Sequence, residues 1–340
     1  MSEAQLLQSA TACSPARANL AQPHTKRALR TVIAHDVDEH AHNLTNWEQR
    51  YDQIACGAFE GVLDEWQSAG VQIFRESTSR AIRQSCRVWS DALWFGIEAY
   101  AAGMRINGRQ VGADAVMTRP GGGEFELVTP DRHEIYGIVV QRDALLATAA
   151  RLGCEVDWSK LGQAELLNVE HDALDVCRRH IGALLQLAGD MQDTAGDAAL
   201  QLRQEAVLVS LLALLDSGEI EAEASANFQR RVRIVSNACE YAMAQQKCPV
   251  TVPMLCEAVH VSRRTLQYCF EDVLGISPMA YLRALRLNGV RRALCEGSGS
   301  RAIGDIAAAW GFVNFSQFSC DYKKLFGETP SAAVRARMRC

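Results

Sequence analysis

The stretch VHVSRRTLQYCFEDVLG, residues 259–275, predicts the end of one short helix, a tight corner and a second helix. The second helix begins at Ser262, a residue type that caps helix N-termini by accepting a hydrogen bond from a backbone N–H. Two arginines, Arg263 and Arg264, follow at once. Such a unit is typical either of a DNA-reading helix-turn-helix or of an ordinary pair of packed helices. The rest of the sequence helps to decide between these two interpretations.

A second copy of the same unit occupies residues 306–330. Leu266 and Phe270 of the first copy correspond to Phe318 and Tyr322 of the second, and each pair has the spacing of two residues on one helix face. Repetition of a whole unit is stronger evidence for helix-turn-helix structure than a single match. The sequence therefore predicts two such units within one helical domain.

Each copy carries the residue types that a sharp corner and a helix end require. Asn314 matches the serine cap of the first copy. Gly311 suits the left-handed conformation of the corner, and His260, at the matching place, tolerates that conformation better than most residues. Gly275 and Gly327 are predicted to end the two second helices as C-caps.

The segment between the two units, SPMAYLRALRLNGVRRALCE at 277–296, has helical periodicity. One helix of about 19 residues would span about 28 Å at 1.5 Å per residue. One turn of B-DNA measures about 34 Å, so this helix would hold both second helices near successive major grooves. The spacing favours one chain that reads two grooves on one face of a duplex.

Removing the core positions leaves the side chains that would face DNA. Arginine pairs with guanine through two hydrogen bonds and glutamine with adenine, whereas lysine suits phosphate. We expect less binding energy from the second unit, because its outward set is weakly basic and includes Asp321. The predicted contacts are Ser262, Arg263, Arg264, Gln267 and Tyr268 in the first unit and Asn314, Ser316, Gln317, Cys320, Lys323 and Lys324 in the second.

Charge is distributed unevenly along the chain. The net charge is −5, but residues 230–340 carry +8 and residues 1–229 carry −13. A basic segment on an acidic chain is typical of a DNA-binding domain joined to another module, although basic residues also solvate ordinary helical domains. The acidic part is expected to lie away from the DNA phosphates.

The chain before the repeats predicts a different structure. The runs VQIFRE, RAIRQSCRVW, LWFGIEAY, GMRING, EFELVTP and EIYGIVV, between residues 60 and 140, predict a small antiparallel β barrel or sandwich. Residues 142–217 show helical spacing, so the fold class is α+β with an all-α C-terminal part. The predicted divisions are a disordered tail at 1–30, a ligand-sensing β-rich domain with a helical dimerisation part at 31–217, a linker at 218–228 and a DNA-binding domain at 229–340.

Composition and short motifs argue against several other classes. The 12 cysteines form no CxxC pair, which favours reduced thiols in a cytoplasmic protein over disulfides or structural zinc. The N-terminus lacks the pattern of a secretion signal, and no run of eighteen apolar residues predicts a membrane span. His35, His40 and His42 lie among acidic residues; a solvated acidic segment is the preferred interpretation and a metal site the alternative.

The β-rich part carries no catalytic signature, so the prediction is that the protein is not an enzyme. Between residues 60 and 140 the only histidine is His133, and neither GxSxG nor HExxH occurs. A sensor for a small ammonium ligand would need an aromatic face and a carboxylate. The alternative is that these aromatics form the core and the acids are solvated. The candidate ligand residues are Trp89, Trp94, Glu98, Phe125 and Glu126.

The C-terminal block resembles the AraC/XylS family of bacterial transcription regulators. The resemblance rests on IGDIAAAWGFVNFSQFSCDYKKLFGETPSAAVR, with LCEAVHVSRRTLQYCF upstream, and covers about 110 residues. It implies two helix-turn-helix units that bind double-stranded DNA. The family often has arginine where this chain has Cys320, which puts the usual base contact of the second unit in doubt.

The rest of the chain, from about 44 to 335, resembles a subgroup of that family, the activators of ethanolamine-utilisation operons. The segments WEQRYDQIACGAFEG, VQIFRE and TRPGGGEFELVTPD carry this resemblance. It implies a cytoplasmic activator that senses ethanolamine with adenosylcobalamin and recruits RNA polymerase, and a homodimer is a further expectation. The DxHxxG motif of histidine-ligated cobalamin does not occur, so a response to cobalamin would need another mode of binding.

Three alternatives remain open at this point. A regulator of another catabolic pathway would share the scaffold but respond to a different inducer. An amine-metabolising enzyme would use the helical part as a protein-interaction tail. A DNA-repair fusion would need a reactive cysteine in a suitable context, and none of the twelve has one by spacing.

Overall fold

The structure, a computed structural model, describes residues 28–101, 103–162, 164–190, 197–221, 224–245, 249–295 and 302–337. Within these ranges an N-terminal domain built on antiparallel sheets precedes an all-helical C-terminal domain, as the sequence predicts. Closure into a barrel or sandwich stays a prediction, since neither sheet's order of described strands returns to its first strand. The predicted tail at 1–30 lies almost wholly outside the described residues.

The strands form two sheets, with the orders β1-β3-β4-β11-β6-β9-β12-β13 and β2-β5-β10-β7-β8. All the pairings described are antiparallel. The strands are β1 (Ala28–Ala34), β2 (Glu48–Gln53), β3 (Gly61–Ser68), β4 (Val71–Thr78), β5 (Ile82–Arg87), β6 (Ala92–Glu98), β7 (Arg105–Ile106), β8 (Arg109–Gln110), β9 (Ala115–Pro120), β10 (Glu124–Thr129), β11 (His133–Gln141), β12 (Leu166–Asn168) and β13 (Glu219–Ile220).

Each of the six runs predicted as strands overlaps a strand of the structure, namely β4, β5, β6, β7, β10 and β11. Strands β1 and β2 precede residue 60 and fall outside the predicted β region. The reason is visible in β2, whose sequence EQRYDQ is mostly polar and lies at the edge of its sheet, paired with β5 alone. Periodicity of apolar residues does not detect such a strand.

Helices α2 to α5 pack against one face of the larger sheet, whereas α1 packs into a different core. A hydrophobic core joins strand residues such as Trp66, Phe95 and Ile138 to residues of α4 and α5. A second core, which includes Trp94 and Phe125, draws on strands of both sheets. These helices are α1 (Val37–Ala41), α2 (Arg142–Leu152), α3 (Trp158–Leu161), α4 (His171–Asp190) and α5 (Asp197–Ser217).

Among the described helices, the segment Ala198–Ser217 of α5 is long and apolar enough to cross a membrane. Such a segment is weak evidence for a span, because core helices of globular proteins share its length and composition. Val207, Leu211 and Leu214 are buried in the core that α5 shares with α4 and the larger sheet. Their burial fits a core helix.

The predicted linker at 218–228 contains the short strand β13, which pairs with β12, and the first residues of the next helix. The division into domains at these positions stays a prediction. The C-terminal helices are α6 (Ala226–Ala244), α7 (Val252–Ala258), α8 (Arg263–Leu274), α9 (Pro278–Cys295), α10 (Ile303–Ala309), α11 (Phe315–Phe326) and α12 (Pro330–Arg337).

Helix α9 is the segment predicted as a single connecting helix, and it is one helix of 18 residues. Its Tyr281 and Leu285 pack into the core of the first helix-turn-helix, whereas Val290 packs into that of the second. Gly289 gives room to the ring of Trp310, because a Cβ at Gly289 would lie 2.2 Å from that ring. One helix therefore holds both units.

The two domains meet along α9 through buried polar contacts. The side chain of Asn288, only 1% exposed, exchanges two hydrogen bonds of 2.9 and 3.0 Å with the backbone of Gln53 at the end of β2. Arg291 pairs with Asp36, and Arg292 pairs with Asp52 at 2.8 Å. Burial leaves these groups dependent on one another for hydrogen bonds, so the contacts fix where α9 sits on the N-terminal domain.

Candidate nucleic-acid interface and ligand site

The first helix-turn-helix unit has the local geometry that its sequence predicts. The Ser262 hydroxyl accepts a hydrogen bond of 3.1 Å from the backbone N–H of Thr265, which caps α8. His260 turns the corner with a φ of 52°. Gly275 ends α8 in the left-handed conformation. These three predictions are confirmed.

The second unit repeats this geometry with different residues. The Asn314 side chain accepts a hydrogen bond of 3.0 Å from the backbone N–H of Gln317 and caps α11. Gly311 turns the corner with a φ of 81°, and a Cβ there would lie 2.6 Å from Pro249. Gly327 ends α11 as predicted. Glycine is therefore required at Gly311 for both conformation and space.

The candidate contacts of the first unit lie together on the exposed side of α8. Arg263, Arg264 and Tyr268 are exposed, whereas Gln267 is half-buried and donates to the Glu271 side chain. The guanidinium of Arg231 lies 5.6 Å from the centre of the Tyr268 ring. The two arginines are thus the charged groups of this set best placed to reach base edges.

The candidate contacts of the second unit are all exposed, and the nearby acid Asp321 is paired with an arginine. Asp321 forms an ion pair with Arg283 of α9 and accepts a hydrogen bond of 2.7 Å from the Gln317 side chain. The repulsion of phosphate expected from this acid is therefore reduced. The exposed candidates are Asn314, Ser316, Gln317, Cys320, Lys323 and Lys324.

Two exposed apolar side chains beside the second cap were not among the predicted contacts. Val313 is fully exposed, and Phe315 is half exposed while its ring also meets Phe318 at 5.6 Å. Apolar residues at a corner ordinarily indicate packing, so sequence periodicity assigns them no surface role. Their position in the sequence, one on each side of the predicted N-cap Asn314, is the feature that could have indicated a surface role.

The N-terminal domain touches the far ends of both second helices. A Cβ on Gly108 would lie 2.7 Å from Val273 near the end of α8. At the end of α11, the N–H of Gly57 donates a hydrogen bond of 2.9 Å to the carbonyl of Leu325. The N-terminal halves of α8 and α11, which carry most of the candidate contacts, lie at the opposite ends of these helices.

Two of the candidate ligand residues are brought together in the core shared by the sheets. Trp94 and Phe125 stack with their ring centres 4.7 Å apart, and both are buried. Trp47, which was not predicted, meets Trp94 edge-on at 6.1 Å. Trp94 lies over Gly96, where a Cβ would come within 2.5 Å of its ring. Trp89 is half-buried against the same core.

The two candidate carboxylates lie apart from each other. Glu98, buried at the end of β6, has its Oε1 3.7 Å from Nδ1 of His133. Glu126 follows Phe125 on β10 and, because side chains alternate along a strand, faces the other side. It forms an ion pair with Arg83, and the Arg83 guanidinium lies 5.6 Å from the ring centre of Tyr281. Whether these residues bind a ligand stays a prediction.

A buried polar group lies in the same domain and was not predicted. Tyr51 donates a hydrogen bond of 2.9 Å to Glu76, and His40 Nε2 lies 3.1 Å from the same carboxylate oxygen. Burial would raise the pKa of Glu76, but His40 and the Tyr51 hydrogen bond outweigh it and lower that pKa. The expectation of a solvated segment is wrong for His40, which is 2% exposed, because α1 folds it against the sheet.

His133 predicts a dependence of stability on pH. Burial lowers its pKa from 6.5 to about 4, against a smaller opposing effect of Glu76. Between these values the unfolded chain binds a proton that the folded chain does not, so stability falls as pH falls through this window. We expect about 2 kcal/mol of the decrease between pH 7 and pH 5 to come from this residue. In urea unfolding, the stability of the His133→Gln variant should therefore decrease less between pH 7 and pH 5 than that of the wild type. A decrease equal to that of the wild type would contradict the prediction.

Comparison with known proteins gives the same picture for the C-terminal domain. The family model described as a helix-turn-helix domain matches residues 255–336. The chain is 36% identical over 103 residues to the probable thc operon regulatory protein of Rhodococcus erythropolis, covering 30% of this chain and 31% of that protein. It is 28% identical to the transcriptional activator RhaR of Pectobacterium carotovorum, over 67% of this chain and 80% of RhaR.

A solved structure of a probable AraC family transcriptional regulator from Rhodopseudomonas palustris is 30% identical, with a TM-score of 0.29, over 31% of this chain and 97% of that one. The chain spans about a third of the length of several of the curated relatives that it matches. The match to the helix-turn-helix family model lies in the part that contains both units. By its helix-turn-helix domain, this chain is similar to transcriptional regulators of the AraC/XylS family.

Proposed function

We propose that the protein is a sequence-specific transcription activator that reads two successive major grooves and responds to a small molecule. The observation that carries this proposal is that α9 holds α8 and α11 in one domain with their capped N-terminal halves exposed. Recognition helices of this class contact base edges with their N-terminal residues. The N-terminal domain lies at the opposite ends, which leaves room for a duplex.

The two units are proposed to read different bases. Arg263 and Arg264 suit guanine, since arginine forms two hydrogen bonds with its major-groove edge. Val313 and Phe315 suit the methyl group of thymine, which is read by apolar contact. Selection of binding sites from random DNA by the purified protein tests this. We expect two half-sites about 10 base pairs apart, one with guanine and one with thymine. A single half-site without thymine preference would contradict it.

Replacing Arg264 with alanine is expected to weaken binding to the selected site by about 1–3 kcal/mol and to relax preference at one base pair. The matched control is Lys324→Ala, because a phosphate contact should weaken binding about equally for all sequences. Titration of the selected site and its single-base variants at fixed salt measures both effects. If Arg264→Ala leaves every base preference intact, α8 does not read bases through this residue.

We propose ethanolamine, acting with adenosylcobalamin, as the effector of an amine-catabolic operon. The support is the sequence resemblance to activators of ethanolamine-utilisation operons, together with the aromatic faces of Trp94 and Phe125, a type of surface that binds ammonium groups. A regulator of another pathway with a different inducer is the alternative. RNA polymerase as partner, a homodimer, a cytoplasmic location and the lack of enzymatic activity belong to the same proposal.

Capture of sheared genomic DNA, with and without ethanolamine plus adenosylcobalamin at fixed salt, tests the effector. Enrichment beside ethanolamine-catabolic genes that depends on both compounds supports it. Enrichment of another promoter, indifferent to both, keeps the regulator and removes this inducer. A failure to enrich any site would count against regulation itself.

A further inference from the structure

A cavity of about 660 Å³ opens where the N-terminal domain, the segment before α6 and α6 itself meet. Its walls include Arg109 and Arg119 from the sheets, Ile220 and Glu221 from the connecting segment, and Phe228 and Arg233 from α6. This volume lies in the range of sites that hold small ligands. Because the walls come from both domains, any occupant would contact both.

The charges around the cavity favour an anion over a cation. Its two carboxylates are each already paired, Glu165 with Arg119 and Glu221 with Arg109, both at 3.2 Å. A cation would have to compete with an arginine for either of them. Arg233, which also lines the cavity, has no ion-pair partner among the residues that the structure describes. The lining therefore carries one positive charge that its carboxylates do not balance.

Arg119 adds a second positive group to the lining. Its Nη1 reaches Glu165 at 3.2 Å, and its side chain is 21% exposed, so part of it stays open to an occupant of the cavity. Phe228, Ile220 and Val232 offer apolar surface beside these charges.

We propose that this junction cavity binds a small organic acid, a carboxylate with an aromatic or aliphatic body, as a second ligand site separate from Trp94 and Phe125. The carboxylate would sit near Arg233 and Arg119, and the body against Phe228 and Ile220. Because the occupant joins the sheets to the first helix of the DNA-binding domain, it would restrict movement between the two. Binding is measured without DNA, so its outcome is separate from that of the proposed regulatory function.

Isothermal titration of the full-length protein with 2-naphthoate tests the site, with 2-naphthalenemethanol as the uncharged counterpart and inorganic phosphate as the anion without a body. We expect the acid to bind at least about tenfold more tightly than either, a difference of about 1.4 kcal/mol. The Arg233→Gln variant should lose about tenfold in affinity. Arg230→Gln, an equally exposed change on α6 outside the cavity, should keep wild-type affinity.

A second variant changes affinity in the opposite direction. Glu221→Gln removes a carboxylate that competes for Arg109 and should strengthen binding of 2-naphthoate, which a damaged fold would not do. Three results would overturn the proposal: no saturable binding up to about 5 mM, where the binding free energy is only about 3 kcal/mol; equal losses in Arg233→Gln and Arg230→Gln; or phosphate binding as tightly as the acid.

Discussion

Replacing Arg291 with alanine is expected to lower the free energy of unfolding by about 3 kcal/mol and to uncouple the two domains. Its side chain is 10% exposed, and the guanidinium lies between Asp36 of the N-terminal domain and Glu328, which precedes helix α12 and is 3.0 Å away. It also lies 4.6 Å from the ring centre of Phe326. Burial opposes its charge, but Asp36, Tyr322 and Glu328 together outweigh burial and raise the pKa of Arg291.

Alanine at this position would leave two carboxylates facing each other without their shared cation. Removal of one member of a buried ion pair typically costs about 3–5 kcal/mol, and the lower end applies because both acids retain contact with water. Urea unfolding followed by circular dichroism should show two separated transitions for the variant and one coupled transition for the wild type. The matched control is Arg283→Ala on the same helix, whose side chain is 52% exposed where it pairs with Asp321.

That surface pair should contribute no more than about 1 kcal/mol. A double-mutant cycle between Arg291→Ala and Asp36→Asn isolates the contact between domains, because asparagine preserves the cap that Asp36 provides to α1. Equal losses in Arg291→Ala and Arg283→Ala, or additivity in the cycle, would show that the buried pair does not join the domains.

The structure shows which features of this molecule are local enough to be predicted. Ser262, Gly275, Asn314 and Gly327 were predicted correctly because a cap depends on residues within one turn of the chain. The corner at His260 was found for the same reason, with the added support of the repeat. Local sequence therefore predicts much of the DNA-binding domain, and the internal repeat supports the assignment of two helix-turn-helix units.

Contacts between distant segments were not predicted, and they decide the remaining features. Asn288 and Gln53 are far apart in sequence and ordinary in composition, yet they exchange two buried hydrogen bonds. The acidic segment around His40 predicts a solvated side chain, but His40 contacts Glu76 on a strand of the sheet. The ion pair between Asp321 and Arg283 was likewise not predicted. No periodicity or motif encodes such pairings, because each depends on how whole elements pack.

Replacing Phe318 with alanine is expected to cost about 3–5 kcal/mol and to unfold the second helix-turn-helix unit selectively. Phe318 is fully buried, and its ring lies 5.0 Å from Phe312 and 5.8 Å from Tyr322. The core around it is smaller than that of the first unit, which also includes Val128 of the N-terminal domain. A cavity in the smaller core removes a larger fraction of the apolar contacts that stabilise that unit.

Hydrogen exchange locates this effect. In the Phe318→Ala variant, amides of α10 and α11 should lose protection while those of α7 and α8 keep it, since local opening follows the least stable unit. A footprint on the selected DNA site should then retain the first half-site and lose the second. The control is Phe270→Ala, the equivalent residue of the first unit, which is also fully buried.

Phe318→Ala and Phe270→Ala should destabilise parts of the protein that differ in size, because the two units pack against different neighbours. The first unit shares its core with α6 and with Val128 of strand β10, so a cavity at Phe270 lies in the core that joins the domains. The second meets the N-terminal domain mainly through backbone and charged groups near Leu325 and Arg291. If Phe318→Ala instead removed protection from α7 and α8 as well, the two units would unfold together. Helix α9 would then transmit stability between them as well as spacing.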